Sequence, residues 1–219
     1  MQPFQNTICR VNLLIWAVLL ASIPLLAAAP NLVPVGSAGN TLELAVTNTG
    51  AFPLIDVTVE IIAAPDWVQF SADQQVMDTV FSRPASVPFA FNVGRQVPLG
   101  ATAEVRLRLH TPLGDHWERT VALTVGAPQK FVLDANYPNP FNATTTIPYQ
   151  LPAQADVLIV VYNLRGEVVT TYRQAQQPPG IHEWQWDAAA VSSGVYFVRI
   201  TAREQATVHH ATQKVVLVK

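Results

Sequence analysis

Cysteine is almost missing from this sequence. Of 219 residues only Cys9 is one, and it precedes the apolar run Leu13 to Leu26. A chain that loses that segment has no thiol, hence no disulfide, no cysteine nucleophile and no cysteine metal site. Charge is sparse as well: 13 basic and 15 acidic residues give a net charge of −2, and neither sign forms a run. That excludes the basic footprint of a nucleic-acid binder and the basic patch of a membrane-surface protein. Catalytic spacing is lacking too. There is no nucleophile elbow, no His-Glu-x-x-His helix, no glycine-rich phosphate loop and no paired-carboxylate motif, so the expectation is a protein that is not an enzyme and takes no cofactor. The five histidines stand at 110, 116, 182, 209 and 210 without ligand spacing. The adjacent pair His209-His210 would point to opposite faces of a strand, so no metal site is expected.

What is present is 50% hydrophobic residues with 17 prolines and 10 glycines, the composition of one or two packed domains rather than a disordered tail. The first 28 residues differ from the rest. Arg10 supplies a positive flank, Leu13 to Leu26 is nearly all apolar, and Ala27, Ala28 and Ala29 precede Pro30. That order predicts a secretory signal peptide over 1–28, cut after Ala28 because proline is avoided directly after a scissile bond. The apolar stretch is short for a spanning helix and is interrupted by Ser22 and Pro24, so no permanent membrane span is expected.

From Gly39 onward the dominant period is two. Leu42, Leu44 and Val46 alternate with polar or small neighbours, and the segment closes at Asn48-Thr49-Gly50. Ile55, Val57, Val59 and Ile61 form the next face, followed by Phe89, Phe91 and Val93, then Val105, Leu107 and Leu109, then Val121, Leu123 and Val125. Five such strands predict a β-sandwich over 35–126. Breakers in Gly126-Ala127-Pro128-Gln129-Lys130 then mark a linker, placed at 127–133, and a second β-sandwich is expected over 134–219. The predicted class is all-β, with two immunoglobulin-like or fibronectin III-like sandwich domains.

The second domain opens on Tyr137-Pro138-Asn139-Pro140-Phe141-Asn142. Two prolines fix φ and remove donors, so this reads as an extended or turning clamp at the domain's edge, with Tyr137 and Phe141 available to pack. Pro148 lies inside the following strand and should push it to an edge or a bulge. Val157 to Tyr162 is apolar on both faces, as in a central strand. Gly166 and Gly194 are placed for turns with positive φ. Terminal lysines Lys214 and Lys219 are either recognised by a partner or keep an edge strand soluble.

The hexapeptide at 137–142, Thr144 to Ile147, Tyr149 to Pro152, the strand and turn through Gly166, Gly180 with Trp186-Asp187, Ser193-Gly194-Val195-Tyr196 and Lys214 to Lys219 resemble, in order, the type A C-terminal sorting domain of the type IX secretion system. The resemblance spans residues 131–219 and sits where a C-terminal address is expected. It departs at Ala143, where the family usually has proline, and at Pro148. The immunoglobulin-like module of flagellar hook-assembly proteins shares much of the pattern. Upstream, Asn48-Thr49-Gly50, Val57 to Ile61 and Pro65-Asp66-Trp67 resemble the NEW3 type of immunoglobulin-like module.

The resemblance implies sorting-motif residues Tyr137, Pro138, Asn139, Pro140, Phe141, Asn142, Gly166, Gly194, Tyr196, Lys214 and Lys219. It implies an outer-membrane translocon and a sortase as partners, a cut in the linker, and a cell-surface or extracellular destination. The first domain would be a small structural or adhesive passenger contacting a protein. Alternatively it is a carbohydrate-binding accessory, for which Trp67 and Trp117, with Phe52, Phe70 and Phe81, are the aromatic candidates and Trp117 is expected in a loop. In a third reading the two domains are architectural and the second stays attached.

Overall fold

Alternating apolar residues become strands throughout. The computed structural model describes residues 10–14, 31–48 and 50–219 and falls into two units, Met1–Gly126 and Ala127–Lys219. Both are all-β, and the described residues contain no helix.

In the first unit the strands are β1 (Arg10–Leu14), β2 (Asn31–Pro34), β3 (Asn40–Val46), β4 (Leu54–Ala63), β5 (Val68–Phe70), β6 (Gln74–Val80), β7 (Ala85–Val93), β8 (Thr102–His110) and β9 (His116–Gly126). They form two sheets, ordered β1-β3-β7-β5 and β2-β9-β8-β4-β6. Inward-facing residues of both sheets, among them Leu42, Leu44, Phe89, Phe91, Leu107 and Leu123, make one core. Side chains alternate across a strand, so every second residue is delivered to that core. The expected signal peptide, 1–28, lies outside the described residues except for Arg10–Leu14, which run parallel to β3 from Arg10↔Thr41 to Leu14↔Ala45.

Two expectations for this unit fail for local reasons. Ile55 is exposed rather than inward, because Asp56 adopts a left-handed φ of 51° and interrupts the alternation between Ile55 and Val57. A single residue out of phase flips those before it to the other face. Trp117 lies on β9 opposite Leu109, not in a loop; the turn is Thr111 to Asp115.

In the second unit the strands are β10 (Val132–Leu133), β11 (Thr144–Leu151), β12 (Ala155–Asn163), β13 (Val168–Gln177), β14 (Gly180–Asp187), β15 (Gly194–Arg203) and β16 (Val208–Leu217). One sheet is ordered β10-β11-β14 and the other β13-β12-β15-β16, the two layers of a β-sandwich. Ile147, Tyr149, Leu151, Ile159, Val161, Val198, Ile200, Val215 and Leu217 pack between them. As expected, β12 is central, though Leu158, Val160 and Tyr162 on its outer face are only half covered.

Pro148 is not at an edge, since β11 is the middle strand of its sheet. The Pro148 carbonyl accepts from Asp134 N at 3.0 Å, on the β10 side, and a residue's N and C=O point to the same side of a strand. The missing N–H therefore faces the place where β10 has already ended at Leu133, and no ladder bond to β14 is lost. Gly166 has the expected positive φ of 79° in the β12–β13 turn. Gly194 does not have one, and a Cβ there would meet Tyr196 only at ordinary contact distance, 3.7 Å.

Candidate functional site

The proline-rich hexapeptide meets the last strand of the second unit. Asn136, buried, donates through Nδ2 to Pro138 O at 3.2 Å and to Thr145 Oγ1 at 2.9 Å, and Thr145 Oγ1 donates to the same Pro138 carbonyl at 2.9 Å. Side-chain amide and hydroxyl donors thus satisfy the Pro138 carbonyl in a segment whose prolines supply no N–H. Both X-Pro bonds, Tyr137–Pro138 and Asn139–Pro140, are cis. Tyr137 exchanges backbone bonds with Thr146, and its hydroxyl donates to Glu183 at 2.9 Å, so the ring lies outside, 51% exposed, rather than packed in the core.

Beyond Pro138 the segment grips β16. Asn139 Oδ1 accepts from Val216 N at 3.0 Å; Phe141 N donates to Val216 O and Val218 N donates to Phe141 O, each at 2.9 Å. The Phe141 ring is buried 5.4 Å from Trp186, which meets Tyr196 edge-on at 5.6 Å. Tyr196 in turn donates its hydroxyl to Ser192 O at 2.6 Å. Such offset and edge-on ring contacts are worth roughly 0.5–1.5 kcal/mol each beyond their burial. Asn142 is exposed, with its carbonyl accepting from Thr144 N at 2.9 Å. Ala143 adopts φ 63°, and its carbonyl accepts from Ala188 N at 2.7 Å. Proline, locked near φ −65°, could not take that conformation, so alanine suits this backbone where the family usually has proline.

Lys219 closes the same end. Its backbone N donates to Ser193 Oγ at 3.0 Å and its Nζ to Ala189 O at 2.6 Å. Gly194 pairs with Leu217 and Asn163 pairs with Tyr196, so the Gly166 turn is at this end too. Lys214 is exposed on β16, opposite Phe197. Residues 137–142, Gly194, Tyr196 and Lys219 are thereby joined into one bonded cluster, although up to 82 positions separate them. Ser193 and Trp186 complete it. Trp186 stood out in the sequence as a landmark without a role, and nothing in the local pattern singles out Ser193.

Tyr149 shapes the opposite half of this core. Its ring is buried, which pushes the phenol up to about 12, against the opposing effect of its 2.7 Å hydrogen bond to Gln177. At that end of the unit a cleft of about 690 Å³ is lined by Asp156, Gln176, Arg203, Glu204 and Thr207 among others.

In the first unit Trp67 and Trp117 are partly buried against the core. Trp67 is at the end where Gly94 N donates to its carbonyl, while Trp117 is at the far end of β9. The structure does not bring them together into one platform. Phe70 packs on Phe89 and Phe91. Phe52 and Phe81 are exposed on loops held by buried Asn48, whose Nδ2 donates to Phe52 O at 2.7 Å and whose N donates to Phe81 O at 3.4 Å.

Residues 135–217 match the family model described as "Secretion system C-terminal sorting domain". No curated protein matches the chain. Solved structures that overlap it include dimeric latent PorU from Porphyromonas gingivalis, at 16% identity and a TM-score of 0.34 over 81% of this chain. The chain spans 18% of that PorU chain. A protein of unknown function from Porphyromonas gingivalis W83 overlaps at 17% identity and a TM-score of 0.32, over 84% of this chain and 93% of its own. The Pseudomonas aeruginosa CupB2 chaperone overlaps at 14% and 0.31, over 87% and 98%. Overlaps at this level decide neither fold nor function. The family match rests on the segment in which hexapeptide and β16 are bonded together, and the second unit is therefore a C-terminal sorting domain of the type IX secretion system, which directs export to the cell surface or the extracellular space.

Proposed function

We propose that the second unit is read by the outer-membrane translocon of the type IX system, that a sortase cuts the chain within 127–133, and that the first unit is the exported passenger. The observation that carries this is the bonding of residues 137–142 to Val216 and Leu217 inside the segment 135–217 that matches the sorting family, with Val218 and Lys219 just beyond it joining the same cluster. Such a cluster presents both ends of the domain as a single surface. The passenger is structural or adhesive and not catalytic. Supporting that role, Trp67 and Trp117 are spent on the core at opposite ends and leave no paired platform for a sugar ring. The exposed loops carrying Phe52 and Phe81 suit a protein contact instead.

The test is intact-mass analysis of the protein recovered from the medium and outer membrane of its native host, beside a chain ended at Leu133. A product lacking everything beyond the linker, absent when the second unit is deleted, is the expected result. A surface product that retains residues to Lys219, with location unchanged by the deletion, overturns the sorting role and leaves an architectural pair of domains.

A further inference from the structure

The linker is not uniformly free. Gln129 and Lys130 are exposed, but from Phe131 onward the chain is fastened to the second unit. Val132 and Leu133 ladder with Gln150 and Tyr149 as β10. Phe131, just outside that ladder, stacks its ring on the imidazole of His209 on β16, with centroids 5.7 Å apart and planes inclined by 22°. His209 Nε2 lies 3.4 Å from Glu204 Oε1, an oxygen that is buried and makes no hydrogen bond. The carboxylate and imidazole are largely covered, with side chains 18% and 32% exposed. His210, its neighbour, points the other way and is exposed, as alternation on β16 requires.

We propose that Phe131, His209 and Glu204 form a latch that holds the chain immediately downstream of Lys130, so that proteolytic access to the linker is confined to Gln129-Lys130 until the latch opens. This rests on the reading that the linker is cut, and it makes His209 a positioning residue for that cut. A protease binds several residues on each side of the scissile bond in extended form. With Phe131 pinned and Val132–Leu133 in a sheet, the downstream half can be presented only by local opening, and the rate of cutting then follows the population of the open form. Glu204 restrains the imidazole through Nε2 and so helps to fix the ring plane on which Phe131 rests.

The chain suits a direct test, because its only lysines are Lys130, Lys214 and Lys219. A lysine-specific endoprotease applied to the purified full-length chain reads the linker at Lys130, while Lys214, inside the β15–β16 ladder, reports general unfolding. His209→Ala should raise the initial rate of cutting after Lys130 about fivefold, the factor expected for losing one ring stack, with Lys214 still protected. Glu204→Gln should raise it less. His209→Phe, which keeps a ring against Phe131, should restore the slow rate. An unchanged rate in His209→Ala, a fast rate in His209→Phe, or Lys214 cut in parallel with Lys130 would each overturn the latch. Because the host's sortase takes no part, a failed latch leaves the sorting role untouched, and failure of sorting in the host leaves the latch result standing.

Discussion

Ala143 holds a left-handed backbone at φ 63° without the freedom that glycine has there. An L side chain in that region costs about 1–2 kcal/mol, so Ala143→Gly should stabilise the second unit by about 1 kcal/mol once glycine's larger unfolded entropy is subtracted. Denaturant midpoints followed by tryptophan fluorescence would check it; a destabilised variant would show that the strain is absent. Tyr149 makes a prediction of opposite character. Its phenol is raised from 10.0 to about 12 by burial, so the fold favours the protonated form. The associated stability is complete below the unfolded value near 10 and is lost as pH climbs from there through about 12. The second unit should therefore weaken across that alkaline window, and Tyr149→Phe should flatten the decline while losing about 1 kcal/mol at neutral pH with the Gln177 bond. Parallel decline in wild type and variant would count against this assignment. At this scale the sequence was half legible. Phe141 and Tyr137 were both expected to pack, yet only Phe141 is buried; Tyr137 spends its hydroxyl on Glu183, 46 positions away. No local pattern encodes that partner.

Among the elements, β16 has two partners of different kinds. Along one edge it ladders with β15 from Gly194↔Leu217 to Arg203↔Val208; at its far end it bonds Asn139 and Phe141 of the hexapeptide. Cutting away Lys214 to Lys219 would remove buried Val215 and Leu217 together with these bonds. At roughly 1.5–3 kcal/mol for each buried side chain, that approaches the whole stability of a small domain. Truncation should therefore unfold the second unit, seen as collapse of its cooperative transition, so that export lost on truncation reports folding as well as address. Asn139→Ala separates the two. It removes one acceptor from Val216 N and should cost about 1 kcal/mol while leaving the β15–β16 ladder folded. Alternation predicted β3, β4, β7, β8 and β9, because period two is written in neighbouring residues. It failed at Ile55, where a left-handed Asp56 decides which face the residue meets, and the proline rule failed at Pro148, where β10 ends early and leaves no ladder bond to lose. Gly194 failed likewise: a glycine before a strand suggests a turn, but the chain enters β15 in ordinary extended form.

For the whole molecule, the division after Gly126 coincides with the run of breakers, and each unit has a core of its own. That independence is what the mass measurement on exported protein exploits, since a cut in 127–133 leaves the first core intact. All-β class and the ordered motifs of a sorting domain could be read from residues alone, because alternation and short motifs are properties of contiguous chain. The tertiary structure alone decided that residues 137–142 and Val216 to Lys219 are one bonded cluster, that Trp67 and Trp117 are apart and partly buried, and that Phe131 rests on His209. The reason is the same in each case. These contacts join residues far apart in sequence, and their partners are chosen by the order of strands in the sheets, which no window of neighbouring residues contains.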